Sequence, residues 1–242
     1  MVGVAEVPPE SSERATAVER RILSLLMDAA DLTMTLEVGT GEGRLTPLLA
    51  ARSSTTVGID LEASRLRSVR TSMGPASLAI HFARADANRL PFADAAFSTV
   101  VLIRIVHRFV DPLRAFREMR RVIRPNGTLI LSAVTRPSAG TLAWDVGASL
   151  HGSALASRIT FMRENPAVVR THAQPGYLWT LARLREILSE AGFVVLTTWA
   201  TGWEDLPVLR NLPLPYLQGL TNAWGRAPLA PRYLLAAAPS PV

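Results

Sequence analysis

Short apolar runs of strand character alternate with longer runs of helical period along most of this chain. Residues 13–31 predict a helix, with Val18, Ile22, Leu25, Leu26 and Ala29 sharing a face at i, i+4, i+7, i+8 spacing. Leu36-Glu37-Val38 reads as a first strand, followed by a helix over 46–51. Thr56-Val57-Gly58-Ile59-Asp60 is a second strand pattern, and 62–73 a helix ended by Gly74-Pro75. Strands are predicted again at 78–82 and 97–102. A helix around 116–123, a turn at Arg124-Pro125-Asn126-Gly127 and a fifth strand at 128–132 complete the series. Such alternation implies a parallel sheet with helices on both faces.

The period then breaks. Residues 136–180 hold Trp144, His151, Phe161, Met162, His172, Tyr177 and Trp179 without a clean sheet pattern. They read as a mostly helical insertion capping the sheet's ligand edge. A helix over 181–191 closes at Gly192, and 193–199 is a sixth strand. Residues 201–231, rich in proline, leucine and tryptophan, read as a second insertion. A last strand at 232–237 is expected to lie antiparallel at or near a sheet edge. The organisation is therefore a flexible tail (1–12), a core (13–135), a cap insertion (136–180) and a segment that completes the sheet (181–242).

Chemistry concentrates where the predicted strands end. Gly39, Gly41 and Gly43 alternate between the first strand and its helix, so backbone there can approach a ligand with no Cβ in the way. Asp60 ends the second strand 21 residues after Gly39, the spacing at which an acidic side chain accepts ribose hydroxyl protons. Asp86, followed by the small Ala87, is placed to accept the exocyclic amino protons of adenine.

This series of motifs over roughly 20–135 resembles the class I S-adenosylmethionine-dependent methyltransferases, in particular a subgroup with small-molecule and RNA-modifying members. A weaker echo runs through 181–200 and 231–238. The resemblance implies a Rossmann-like, doubly wound α/β fold with a mostly parallel seven-stranded sheet, helices on both faces and a helical cap insertion. It makes 13–135 the cofactor-binding core. It implies S-adenosyl-L-methionine as cofactor and S-adenosyl-L-homocysteine as product. It assigns Glu37 to the cofactor's amino end, Gly39, Gly41 and Gly43 to the turn around it, and Asp60 to the ribose. Leu61 packs on adenine, Asp86 and Ala87 meet its edge, and the Ile103 backbone carbonyl meets the amino group.

His107, just past the fourth strand, is the candidate general base, since imidazole titrates near neutral pH. His151, His172 and Asp145 in the cap are alternatives. The chain departs from the family pattern at Ser98, where an aspartate is usual, and at Leu102-Ile103-Arg104. Arg104 beside a cationic sulfonium is unfavourable unless it points away or meets an acidic substrate.

Composition adds boundaries. The chain has 242 residues, 48% of them hydrophobic, enough to bury a full core. It has no cysteine, which rules out disulfides and thiolate metal sites. No His/carboxylate set has metal-ligand spacing, so no metal is expected. Neither a secretory signal nor a membrane span is predicted, and a cytoplasmic protein is expected. The net charge is +6 and all 26 basic residues are arginine. Arg114, Arg117 and Arg121 share one helix face, read either as a solvated surface or as a phosphate-binding stripe.

The expected activity is methyl transfer to O, N or C of a small, mostly apolar metabolite. Transfer to RNA (tRNA) and a non-catalytic cofactor-binding role are the alternatives. A nicotinamide dehydrogenase fits the motifs less well.

Overall fold

The computed structural model describes residues 13–73, 79–135, 167–171, 174–201 and 232–241. Seven strands form one sheet: β1 (Met34–Val38), β2 (Thr55–Asp60), β3 (Ile80–Arg84), β4 (Phe97–Ile103), β5 (Ile123–Val134), β8 (Phe193–Thr201) and β9 (Arg232–Pro239). Their spatial order is β3-β2-β1-β4-β5-β9-β8. The first five run parallel, while β9 lies antiparallel between β5 and the edge strand β8. The last strand is thus next to an edge, as its short apolar run implies. Strand order reverses between β1 and β4, so a crevice opens at their carboxyl ends.

Alternation along the central strands feeds two cores. Leu36, Val38, Val100, Leu102, Leu129 and Leu131 face Phe116 and Met119 of α4 (Pro112–Val122) and Leu184 and Leu188 of α5 (Leu181–Glu190). Val101 and Ile130 face the other way, onto α1 (Glu13–Asp28) and onto Leu49 of α2 (Thr46–Ala50). The central strands β1 and β4 are buried on both faces, as the middle of a parallel sheet requires. Asp111 starts α4 by accepting a 3.0 Å hydrogen bond from the Arg114 N–H, with Pro112 at its first turn. Between β2 and β3 runs α3 (Ala63–Met73).

Several boundaries differ from expectation. The buried face of α1 is Val18, Glu19, Ile22, Leu23, Leu26 and Met27, whereas Leu25 is 52% exposed and Ala29 lies outside the helix. The stripe is rotated because a glutamate sits within it, a position that a hydrophobic count assigns to solvent. β3 begins at Ile80. The Arg124–Gly127 stretch is absorbed into the start of β5. Ile123 opposes Phe97 and Thr128 opposes Thr99, so the extra residues bulge out of the ladder. Of the predicted helical cap, the described part is instead a hairpin of β6 (Ala167–Thr171) and β7 (Gln174–Leu178). β-branched Val168, Val169 and Thr171 favour it, while Pro175 and Gly176 hide the strand period. Asp145, His151 and His172 lie outside the described residues, as does most of 201–231.

Candidate functional site

The turn after β1 is shaped by what crowds it. Gly39 adopts φ +77°, and a Cβ there would stand 2.8 Å from Ile105 Cγ1. Only glycine fits a left-handed backbone pressed against that side chain. Gly43, at φ +76°, would place a Cβ 2.6 Å from Val69 Cγ1, so its bareness serves the packing of α3. A Cβ on Gly41 would meet only the Gly39 carbonyl, at an ordinary 3.9 Å, and the Gly41 N–H donates 2.9 Å to Asp60 Oδ2.

Asp60 therefore holds the turn from below. Its Oδ1 accepts from the Glu62 N–H at 2.9 Å, which also starts the turn into α3. Each oxygen keeps a further lone pair for a ligand. Asp86 Oδ1 accepts from both the N–H and the side-chain amide of Asn88, each at 2.9 Å. Its Oδ2 accepts no hydrogen bond among the described residues.

These groups meet in one cleft of about 490 Å³, counted to its open mouth. Gly39, Asp60, Leu61, Asp86 and Ala87 line it, together with Asn88, Ile105, Phe109 and one cation, Arg108. Leu61 is 60% exposed at its wall, a large apolar surface with nothing packed on it. Carboxylates at two points, an uncovered apolar platform and a bare backbone bend fit an adenosine.

Glu37, Gly41, Gly43, Ile103 and His107 are not among the lining residues. Glu37 is buried beneath the turn, where its Oε2 accepts 2.7 Å from the Thr46 hydroxyl. Burial pushes its carboxyl up to about 7, opposed by the hydroxyls of Thr46 and Thr40 and by Arg44. His107 sits on a short 3₁₀ turn, Val106–Arg108. Burial first, and then the neighbouring Arg108, pulls its imidazole down to about 4.

The two departures from the family pattern acquire structural roles. Ser98 Oγ accepts from the Met34 N–H at 2.9 Å and donates to its carbonyl at 3.0 Å, joining β4 to the start of β1. Arg104, at φ +58°, turns its side chain toward α1. There its Nε lies 3.2 Å from Oε1 of Glu19, and a second guanidinium nitrogen bonds Oε2. Arg44 reaches the same carboxylate at 3.4 Å. This cluster escaped the sequence reading. Its one signal was a glutamate within the apolar stripe of α1.

On α4, Arg121 is bound by Glu118, Asp94 and the carbonyls of Leu90 and Phe92. Arg114 donates to the Asn88 carbonyl.

Residues 36–131 match the family model of a methyltransferase domain. A demethylmenaquinone methyltransferase from Thermus thermophilus is 32% identical over 123 residues, 50% of this chain and 56% of that protein. A phosphatidylethanolamine N-methyltransferase from Cereibacter sphaeroides is 31% identical over 166 residues, 62% of this chain and 78% of its own length. The chain belongs to the class I S-adenosylmethionine-dependent methyltransferase family. Its match to the Cereibacter protein extends furthest among these. Otherwise it spans about half the length of the curated relatives it matches. The crystal structure of the [4+2]-cyclase SpnF covers 99% of this chain and 88% of its own, with a TM-score of 0.65 at 17% identity. That likeness is one of fold, and this methyltransferase fold carries more than one chemistry. No helix among the described residues is long and apolar enough to cross a membrane.

Proposed function

We propose that the chain transfers the methyl group of S-adenosyl-L-methionine to an oxygen, nitrogen or carbon of a small, mostly apolar organic molecule. S-adenosyl-L-homocysteine is the second product. The observation that carries this reading is the convergence of Gly39, Asp60, Leu61, Asp86 and Ala87 on one cleft at the sheet's carboxyl rim. In it Asp60 accepts the ribose hydroxyls, Asp86 the adenine amino protons, and Leu61 covers one face of the base. Glu37 supports the amino end from beneath the turn, and the Ile103 carbonyl accepts from the amino group.

When bound, the cofactor supplies a methyl carbon on a sulfonium whose leaving group is a neutral thioether. The chain's work is then to align the acceptor and exclude water. Where the acceptor is a hydroxyl, His107 takes its proton. With its imidazole held at about 4, the ring is neutral at physiological pH, though a weaker base than the near-neutral histidine expected from the sequence. It holds that proton weakly and passes it on to solvent.

Two observations favour the small acceptor. The relatives act, by name, on demethylmenaquinone and phosphatidylethanolamine, both lipophilic molecules. The arginine face of α4 offers RNA little, because Arg121 and Arg114 are engaged within the fold. A non-catalytic role loses its chief support as well, since Arg104 is neutralised by Glu19.

The test is isotope-labelled methyl transfer, read by mass spectrometry, against quinols, phenols, amine-headed lipids and a tRNA transcript. Label on a small molecule is expected. Label on tRNA alone, or cofactor binding with no transfer to any acceptor, would overturn the reading.

A further inference from the structure

Arg104 is the most unusual residue on the rim. It is one of two non-glycine residues with positive φ among the described residues, and Ser132 Oγ accepts its N–H at 2.9 Å. Ile105, the next residue, packs against Gly39, so Arg104 stands one position from the turn that cradles the ligand. Its side chain nevertheless leaves the rim for α1, where the Glu19 carboxylate is 3% exposed. A carboxylate that deep needs a cation, and α1 cannot bury its stripe around Glu19 without one. Arg104, 24% exposed, pairs with it through two nitrogens, whereas Arg44, 41% exposed, touches it at longer range. The cluster counts two guanidiniums and one carboxylate.

The geometry points to Glu19 as the residue that sets the ratio of affinities for the cationic cofactor and its neutral product, by cancelling one of the two guanidinium charges, of Arg104 and Arg44, that it gathers from the chain segments adjoining the glycine turn. S-adenosylmethionine carries a net charge of +1 at neutral pH and S-adenosylhomocysteine carries none. The two share every other recognition element except the methyl itself. Removing the Glu19 charge therefore adds one positive charge to the rim. That addition penalises the sulfonium and leaves the thioether nearly untouched. Glu19 acts through Arg104 and is a positioning and charge-compensating residue, not a catalytic one. The inference rests on the cofactor proposed above.

Calorimetric titration of both compounds into the parent, Glu19→Gln, Arg104→Gln and the double variant separates the possibilities. Glu19→Gln is expected to weaken S-adenosylmethionine about five- to tenfold more than S-adenosylhomocysteine, the scale of one charge screened as at a protein surface. Adding Arg104→Gln should return the ratio of the two affinities to within about twofold of the parent. Equal losses for both compounds, or a ratio that the double variant does not restore, would make Glu19 a mere strut for α1 and overturn the inference. If Glu19→Gln does not fold, Arg104→Gln decides. A ratio moved toward S-adenosylmethionine supports the inference and an unchanged ratio refutes it. A parent that binds neither compound refutes the cofactor reading instead, a distinct outcome.

Discussion

Glu37 should make the fold less stable as pH rises, and Glu37→Gln should remove that dependence. The carboxyl is buried, and the Thr46 hydroxyl that bonds it is neutral. Burial raises its folded-state value to about 7, against 4.5 for an ordinary glutamate. A group raised in this way binds its proton more tightly when folded. Its favourable contribution is therefore complete below pH 4.5 and is lost as pH rises through about 7. The interval corresponds to about 3 kcal/mol of folding free energy. Glutamine keeps the size and an oxygen that the Thr46 hydroxyl can bond, but it never ionises. Urea denaturation of parent and variant, followed by tryptophan fluorescence from pH 5 to 9, reads the difference. Near pH 5 the two should agree within about 1 kcal/mol. By pH 9 the variant should be more stable by about 2–3 kcal/mol. Titration of other groups is common to both proteins and cancels. A difference that does not change with pH would refute the reasoning, because it would mean that Glu37 is ionised in the fold throughout.

Gly43→Ala should destabilise by about 1–3 kcal/mol, because it combines positive φ with overpacking. The new Cβ would meet Val69 Cγ1 at 2.6 Å, so Val69→Ala in the same chain should recover the contact part, as thermal denaturation would show. Ser98→Ala removes both hydrogen bonds to Met34 and should cost about 1–2 kcal/mol in urea denaturation; an unchanged midpoint would show that the bonds are dispensable. With a hydroxyl acceptor, His107→Ala should lower kcat by about 10²–10⁴ while cofactor affinity stays within a few-fold. The acid limb of the parent's rate profile should bend near 4 rather than 6.5, and a variant rate within a few-fold of the parent would remove the base role.

The sequence reading was strongest where local pattern and tertiary role coincide. The short apolar runs that predict β1, β2 and β4 are apolar at successive positions because Leu36 and Val100 serve one core and Val101 the other. Asp60 was legible because its position at a strand end fixes where its carboxylate stands. Gly43 was legible as a glycine but not in its role, since the crowding by Val69 comes from a helix 26 residues away. Glu19 was invisible in role for the same reason: its partner Arg104 is 85 residues distant, and no local spacing joins them. The hairpin of β6 and β7 was hidden because proline and glycine interrupt its period. Arg104 read as an anomaly until its side chain could be followed into α1.

The central claim is that adenosine lies across the carboxyl rim with its ribose on Asp60. The most direct test is calorimetric titration of S-adenosyl-L-homocysteine into the parent and into Asp60→Ala. Charge-assisted hydrogen bonds of ~1.5–3 kcal/mol predict saturable binding to the parent and a loss of about ten- to hundredfold in the variant. No heat of binding with the folded parent, or equal affinity in the two proteins, would contradict the account.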